Sequence, residues 1–342
     1  MRFFCTLLLL AVSAARLAAQ DFPGELGKIV QNLEKTKAAA VAGNDGWIFF
    51  GGELRLLSLG KFWGDDAREV SRAHKPELAD PIPAILDFQE QLKARGIELL
   101  LVPVPPKAAV YPEKIVTGYN VAASDPAPSL HRFYQELTAA GVNVLDLTAT
   151  LVQNRDHPKG PVFCKTDSHW SGVGCVLAAQ AIAEKVRGKI QKPAAAKEYV
   201  AEWKEAEREG DLASLVARDG RKSLPEKIAI QSVSEKGTGA AVQDDANSPL
   251  LLLGDSHTLI YHDREFLPVR AGLVDQLALQ LGIAPDLIGT SGSGATPVRI
   301  SLYRRSVKDP GYLAKKKVVV WCFAAREFTE ATEGWAKVPV AK

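Results

Sequence analysis

The sequence predicts an α/β protein built on a mostly parallel sheet covered by helices on both faces. Three observations carry this expectation. Residues 97–104, 250–253 and 317–323 are apolar runs of strand length without the in–out alternation of a half-exposed sheet, the pattern of strands buried on both sides. Residues 80–95, 129–140 and 172–186 carry apolar positions at helical spacing. Proline and glycine punctuate the junctions, as at Pro105-Pro106 and Gly51-Gly52.

The first segment, residues 1–19, has a basic start at Arg2, an apolar run through Leu7-Leu8-Leu9-Leu10 and small residues at Leu17-Ala18-Ala19. This is a secretory signal peptide pattern, with cleavage after Ala19 or Ala15; the alternative is an uncleaved anchor. No later segment has the ~18–20 consecutive apolar residues that span a bilayer. The expected location is therefore periplasmic or secreted.

Residues 20–75 read as a lead-in. Leu26, Ile29, Val30 and Leu33 set a helix within 22–42, Gly43-Asn44-Asp45-Gly46 is a turn, and residues 47–50 form a short strand. The main domain is expected over 76–335. Asp80 precedes Pro81 at the start of a helix whose Ile85, Phe88 and Leu92 share one face. The strand at 97–104 follows, then a helix at 129–140, a strand at 141–147 and a helix at 172–186. Residues 190–248 are polar and charge-mixed, with one weak strand at 227–233, and read as an insertion or lid. The strands at 250–253 and 317–323 complete the sheet.

The 342 residues are 46% hydrophobic and 24% charged, with 42 basic and 40 acidic side chains and a net charge of +2, which gives no reason to expect nucleic acid binding. Beyond the leader the cysteines are Cys164, Cys175 and Cys322, an odd number without C-x-x-C spacing. That argues against structural zinc and allows at most one disulfide, with buried free thiols an equal alternative.

Two short segments carry the chemistry. Lys165-Thr166-Asp167-Ser168-His169-Trp170-Ser171 puts a carboxylate and an imidazole two residues apart, and Leu253-Gly254-Asp255-Ser256-His257 puts a serine on the turn after an apolar strand. A serine hydroxyl needs a base within hydrogen-bond reach, and the base needs an orienting acid. Ser256 is the expected nucleophile, His169 the base and Asp167 its orienter. Against this stand a helix N-cap for Ser256 or Asp167 and a structural histidine beside Trp170. His257, adjacent to Ser256, is a competing base of poor geometry. A metallohydrolase using Asp167 and His169 with His257 and Asp255 is a further alternative. Substrate or oxyanion roles are proposed for Gly292 and Gly294 in a flexible loop, Lys107 after Pro105-Pro106, Arg326 after the last strand, and Trp47 or Trp170 as a sugar-stacking ring. The bland readings are ordinary loop composition, a solvated lysine, a surface ion pair and core tryptophans.

Four segments in order carry a resemblance: Gly46-Trp47-Ile48-Phe49-Phe50-Gly51-Gly52-Glu53; Val102-Pro103-Val104-Pro105-Pro106-Lys107 with Tyr111-Pro112-Glu113; Thr166-Asp167-Ser168-His169-Trp170-Ser171; and Gly254-Asp255-Ser256. Over roughly residues 40–330 the chain resembles the AlgX/AlgJ family of alginate O-acetyltransferases, whose catalytic domain is similar to SGNH hydrolases. The resemblance implies an SGNH-like fold and a Ser256–His169–Asp167 triad with the serine after the Asp-x-His instead of before it; no cofactor is expected. It also implies a periplasmic setting, an exported polysaccharide as acceptor and a membrane-bound O-acyltransferase as acetyl donor. Two departures stand out. His257 follows the serine where an aromatic or small residue is expected. The chain also ends soon after Phe328 with no carbohydrate-binding module, as in a single-domain member. The rival functions are a secreted carbohydrate acetylesterase with the same triad and a non-catalytic polysaccharide-binding or assembly protein.

Overall fold

The computed structural model describes residues 21–121, 124–190, 197–216, 224–262, 266–267 and 269–342. The expected signal peptide at 1–19 lies outside them. Four strands form the central sheet: β3 (Glu98–Val104), β6 (Leu250–Gly254), β7 (Asp286–Gly289) and β8 (Val318–Ala324). Their order is β3-β8-β6-β7, and every pairing is parallel. β6 and β8 are buried at every residue. Successive side chains of a strand point to opposite faces, so both faces are covered.

The covering helices explain that burial. Helix α1 (Phe22–Thr36), with Asp21 accepting from Gly24 N at its start, and α2 (Gly51–Ser58) belong to the lead-in. On one side of β8, Trp321 meets Phe88 of α3 (Ile82–Lys93) edge-on at 5.2 Å. After α4 (Pro128–Ala139) come α5 (Gly172–Val186), α6 (Leu273–Leu281) and α7 (Thr296–Lys308). The guanidinium of Arg299, on α7, lies 5.2 Å from the Trp321 ring on the same side. Cys322, which points to the opposite face from Trp321, and Cys175 of α5 are both fully buried. All three described cysteines are buried and free, and burial pushes their thiol pKa values up.

Two small antiparallel pairs flank the sheet. β1 (Ala40–Ala42) pairs with β2 (Ile48–Phe50), so the lead-in helix ends at Thr36, where Lys37 takes φ 54°. β4 (Tyr199–Arg208) and β5 (Glu226–Glu235) form a long hairpin from Tyr199↔Glu235 to Arg208↔Glu226, in the segment expected as an insertion or lid. It packs on the helices: Gln276 of α6 donates to Gln231 O at 2.6 Å, and a Cβ at Gly172 would lie 2.4 Å from Ala229 O.

The strand expected at 141–147 is only a bridge between Val144 and Leu101. Asp146 accepts from Thr148 N at 2.8 Å and turns the chain into the helix Thr148–Gln153 before a strand can extend. β7, short and opened by the polar Asp286, was not expected from the sequence.

Because Trp321 anchors one face of the sheet, Trp321→Ala should lower unfolding free energy by about 3–5 kcal/mol. Urea denaturation checks this; a loss below ~1 kcal/mol would mean the sheet does not depend on that contact.

Candidate active site

All four parallel strands point their carboxyl ends to one side, where sites form in open α/β sheets. β6 delivers Gly254-Asp255-Ser256 there. Gly254 is required by a close approach, since a Cβ on it would lie 1.9 Å from Cys322 O on β8. Asp255, not Ser256, caps the one-turn helix Ser256–Leu259, accepting from His257 N at 2.9 Å. Its other oxygen accepts from Ala324 N at 2.8 Å and ties the turn to the end of β8. Burial raises the Asp255 pKa, but His257, the Arg326 charge and the Ala324 N–H more than offset this and hold it below the carboxylate range.

The Asp-x-His segment is a loop closed by the Phe163↔Trp170 bridge and ended by Ser171, which caps α5. Asp167 Oδ1 accepts from both the backbone N (2.9 Å) and Nδ1 (2.6 Å) of His169. This turn is what lets side chains two residues apart converge. His169 Nε2 lies 2.7 Å from Ser256 Oγ. An ionised carboxylate only accepts, so Nδ1 carries the proton and Nε2 is free to accept from the serine. Burial raises the Asp167 pKa, yet the His169 hydrogen bond and charge, with Arg208, bring it below the carboxylate range.

Asp255-Ser256-His257 repeats the Asp167-Ser168-His169 turn, with His257 Nδ1 3.2 Å from Asp255 Oδ1. It does not repeat the relay, because His257 Nε2 is buried without a hydrogen-bond partner among the described residues. Burial pulls the His257 pKa down, and the His169 and Arg326 charges add to this. Asp167, His169 and Asp211 offer three donors within 4.8 Å of one another. However, Asp167 Oδ2 already holds Arg208 and His169 Nε2 faces Ser256. The set therefore fits a hydrogen-bonded relay better than a cation.

Several expected substrate contacts are structural instead. Lys107 is fully buried, and its Nζ donates to the carbonyls of Ile48 (2.7 Å), Cys164 (2.9 Å), Lys165 (3.2 Å) and Asp167 (2.7 Å). It clamps the acid–base loop to β2 and cannot meet an acceptor sugar. Burial lowers its pKa, opposed by Glu53 and Asp167, and four acceptors suit an ammonium. Arg326 donates to Glu53 Oε1 at 3.2 Å, in a largely buried pair that binds α2 to the end of β8. Trp170 is fully buried, edge-on to His257, and Trp47 packs on Tyr111; neither presents a face to a sugar. Gly294 accepts from Trp321 Nε1 at 2.7 Å and gives its N–H to Glu327, so its backbone is committed to packing. Gly292 is an exposed turn residue at φ 79°, where a side chain would be strained.

Arg208, Asp211 and Glu226 were not singled out in the sequence. All three bind the Asp-x-His loop from the β4–β5 hairpin. The only local signal is Gly210 among charges: a Cβ there would lie 2.1 Å from Thr166 O.

Comparison with known proteins agrees with this architecture. A family model described as the SGNH hydrolase-like domain of the acetyltransferase AlgX matches residues 40–297. The probable alginate O-acetylase AlgJ of Pseudomonas aeruginosa is 26% identical over 314 residues, covering 87% of this chain and 72% of that protein. The O-acetyltransferase domain of Pseudomonas putida AlgJ superposes with a TM-score of 0.62 at 22% identity, over 85% of this chain and 92% of that one. Pseudomonas aeruginosa AlgX gives 0.60 at 17% identity, over 83% and 62%.

Lys107→Met should remove the ammonium that serves four buried carbonyls and cost about 3 kcal/mol or more, read by chemical denaturation. Full stability together with a raised KM for a charged acceptor would instead make Lys107 a substrate contact.

Proposed function

The chain belongs to the SGNH hydrolase-like family of the acetyltransferase AlgX, and on that premise we propose that it transfers acetyl groups to hydroxyls of an exported, alginate-like polysaccharide through an acyl-enzyme on Ser256. The observation that carries the proposal is the continuous Ser256–His169–Asp167 relay, with contacts of 2.7 and 2.6 Å. These lie within the reach that proton transfer needs.

His169 Nε2 takes the Ser256 proton as Oγ attacks the acetyl carbonyl. Asp167 holds the tautomer and stabilises the imidazolium. Ser256 is the first residue of its helix, so its N–H has no partner within the helix and supports the developing oxyanion. The tetrahedral intermediate collapses to acetyl-Ser256, and the leaving group departs with the proton from His169. In the second half, His169 deprotonates a sugar hydroxyl, which attacks the acetyl-serine and regenerates the enzyme. The acyl donor in this reading is a membrane-bound O-acyltransferase. The reaction takes place in the periplasm after removal of residues 1–19. No helix among the described residues is long and apolar enough to cross a membrane.

The test supplies p-nitrophenyl acetate with and without an oligouronate acceptor and follows acetylated oligosaccharide by mass spectrometry. Wild type should give the acetylated product, and Ser256→Ala or His169→Ala should reduce turnover by ~10³-fold or more. Free acetate alone at every acceptor concentration, the native polymer included, would make the protein an esterase. Unchanged activity in Ser256→Ala would remove the serine from the chemistry.

A further inference from the structure

The β4–β5 hairpin takes no part in the Ser256–His169 contact, yet it supplies the groups that enclose the acid. Arg208, the last residue of β4, donates from Nε to Asp167 Oδ2 at 2.8 Å, and its Nη2 makes an ion pair with the same oxygen at 2.8 Å. The Asp211 N–H reaches the same oxygen at 3.1 Å. The Asp211 carboxylate accepts from Ser168 N at 2.7 Å and Ser168 Oγ at 2.6 Å, and its Oδ2 lies 3.8 Å from His169 Nδ1. Glu226, the first residue of β5, accepts from Lys165 N and Thr166 N. The loop that carries acid and base is thus gripped from the hairpin at four consecutive residues, Lys165 to Ser168.

We infer that Arg208 and Asp211 are positioning residues for acyl transfer, acting through Asp167 and His169, so that the hairpin belongs to the reaction machinery. The inference rests on the acyl-transfer reading of Ser256.

The torsion that turns a carboxylate about its own axis is broad, so an aspartate held on one oxygen alone is poorly fixed. Here the two N–H groups of His169 hold Oδ1, while Arg208 and the Asp211 N–H hold Oδ2. Asp167 is fully buried, and without Arg208 its carboxylate would turn toward another donor. That rotation would loosen the imidazole that must present Nε2 to Ser256. Arg208 is therefore the counter-charge that keeps the acid aligned. Asp211 differs, because its half-exposed carboxylate sits beside Nδ1 and favours the imidazolium that forms when Ser256 is deprotonated.

The two residues carry opposite charges, which separates positioning from mere structural support. The charged and titratable groups around His169 are Asp167 in its own turn, Arg208 and Asp211 from the hairpin, and His257 beside Ser256. Lys107 donates to the Asp167 carbonyl, and the Asp211 charge acts on Arg326. Removing the negative charge of Asp211 should lower the pH at which His169 becomes a competent base. Removing the positive charge of Arg208 should raise it.

The experiment uses the full chain and p-nitrophenyl acetate, reading the burst of p-nitrophenolate as acylation of Ser256, with Ser256→Ala as the blank. Arg208→Met should slow acylation about 10²-fold with little change in KM, and Arg208→Lys should recover part of the loss. The acid limb of the acylation profile should move up in Arg208→Met and down in Asp211→Asn. A lowered burst amplitude with an unchanged rate constant and unmoved limbs would mean that the hairpin only stabilises the fold, and would overturn the inference. If Arg208→Met fails to fold by circular dichroism, Asp211→Asn decides: a downward shift supports the inference and an unmoved limb overturns it. Absence of a burst in wild type would instead count against the acyl-enzyme reading itself.

Discussion

The structure is organised around one buried carboxylate. Asp167 has no solvent exposure, and burying an uncompensated charge costs several kcal/mol. The chain answers from three directions: His169 binds one oxygen, Arg208 the other, and Lys107 the residue's own carbonyl. Those partners come from the loop before α5, from the β4–β5 hairpin and from the turn after β3. A requirement for charge compensation at one atom pair thereby holds together segments more than forty residues apart in sequence.

The parallel sheet makes this convergence possible. Each strand ends on the same side, and each end contributes a fixed piece: Lys107 after β3, Asp255-Ser256 after β6, Gly294 after β7, and Arg326 and Glu327 after β8. Asp255 fastens the serine turn to β8, while Glu53 on α2 joins the Lys107 N–H to Arg326. The serine and the histidine are therefore presented by separate elements, whose braces meet through Glu53 at the end of β8. The same Asp-Ser-His turn occurs twice, but only the His169 copy aims its Nε2 at a hydroxyl; the His257 copy is sealed into the core.

What could be read from sequence followed the range of the interactions involved. The parallel strands were legible because continuous burial leaves continuous apolar runs, as in Leu250 to Leu253. Asp167, His169 and Ser256 were legible because an Asx-type turn and a strand-end serine are local patterns. Lys107 was not, because a lysine after two prolines looks solvated. Its four carbonyl partners lie 57–60 residues away in the chain. Arg208 and Asp211 were hidden for the same reason, in a polar stretch that reads as solvent-facing until the hairpin folds back on Thr166. Residues 141–147 had a strand's alternation but lost it to the local competition of Asp146 for the backbone.

In the proposed reading the Ser256–His169–Asp167 relay makes the serine nucleophilic and the acyl group passes to a sugar hydroxyl. The measurement that tests this most directly is the fate of the trapped intermediate. Protein briefly acetylated and freed of donor should carry one acetyl group, located by peptide mass on Ser256. An oligouronate should discharge it faster than water does, yielding acetylated oligosaccharide. An acetyl group on another residue, or one whose loss is indifferent to the oligouronate and yields only acetate, would contradict the account.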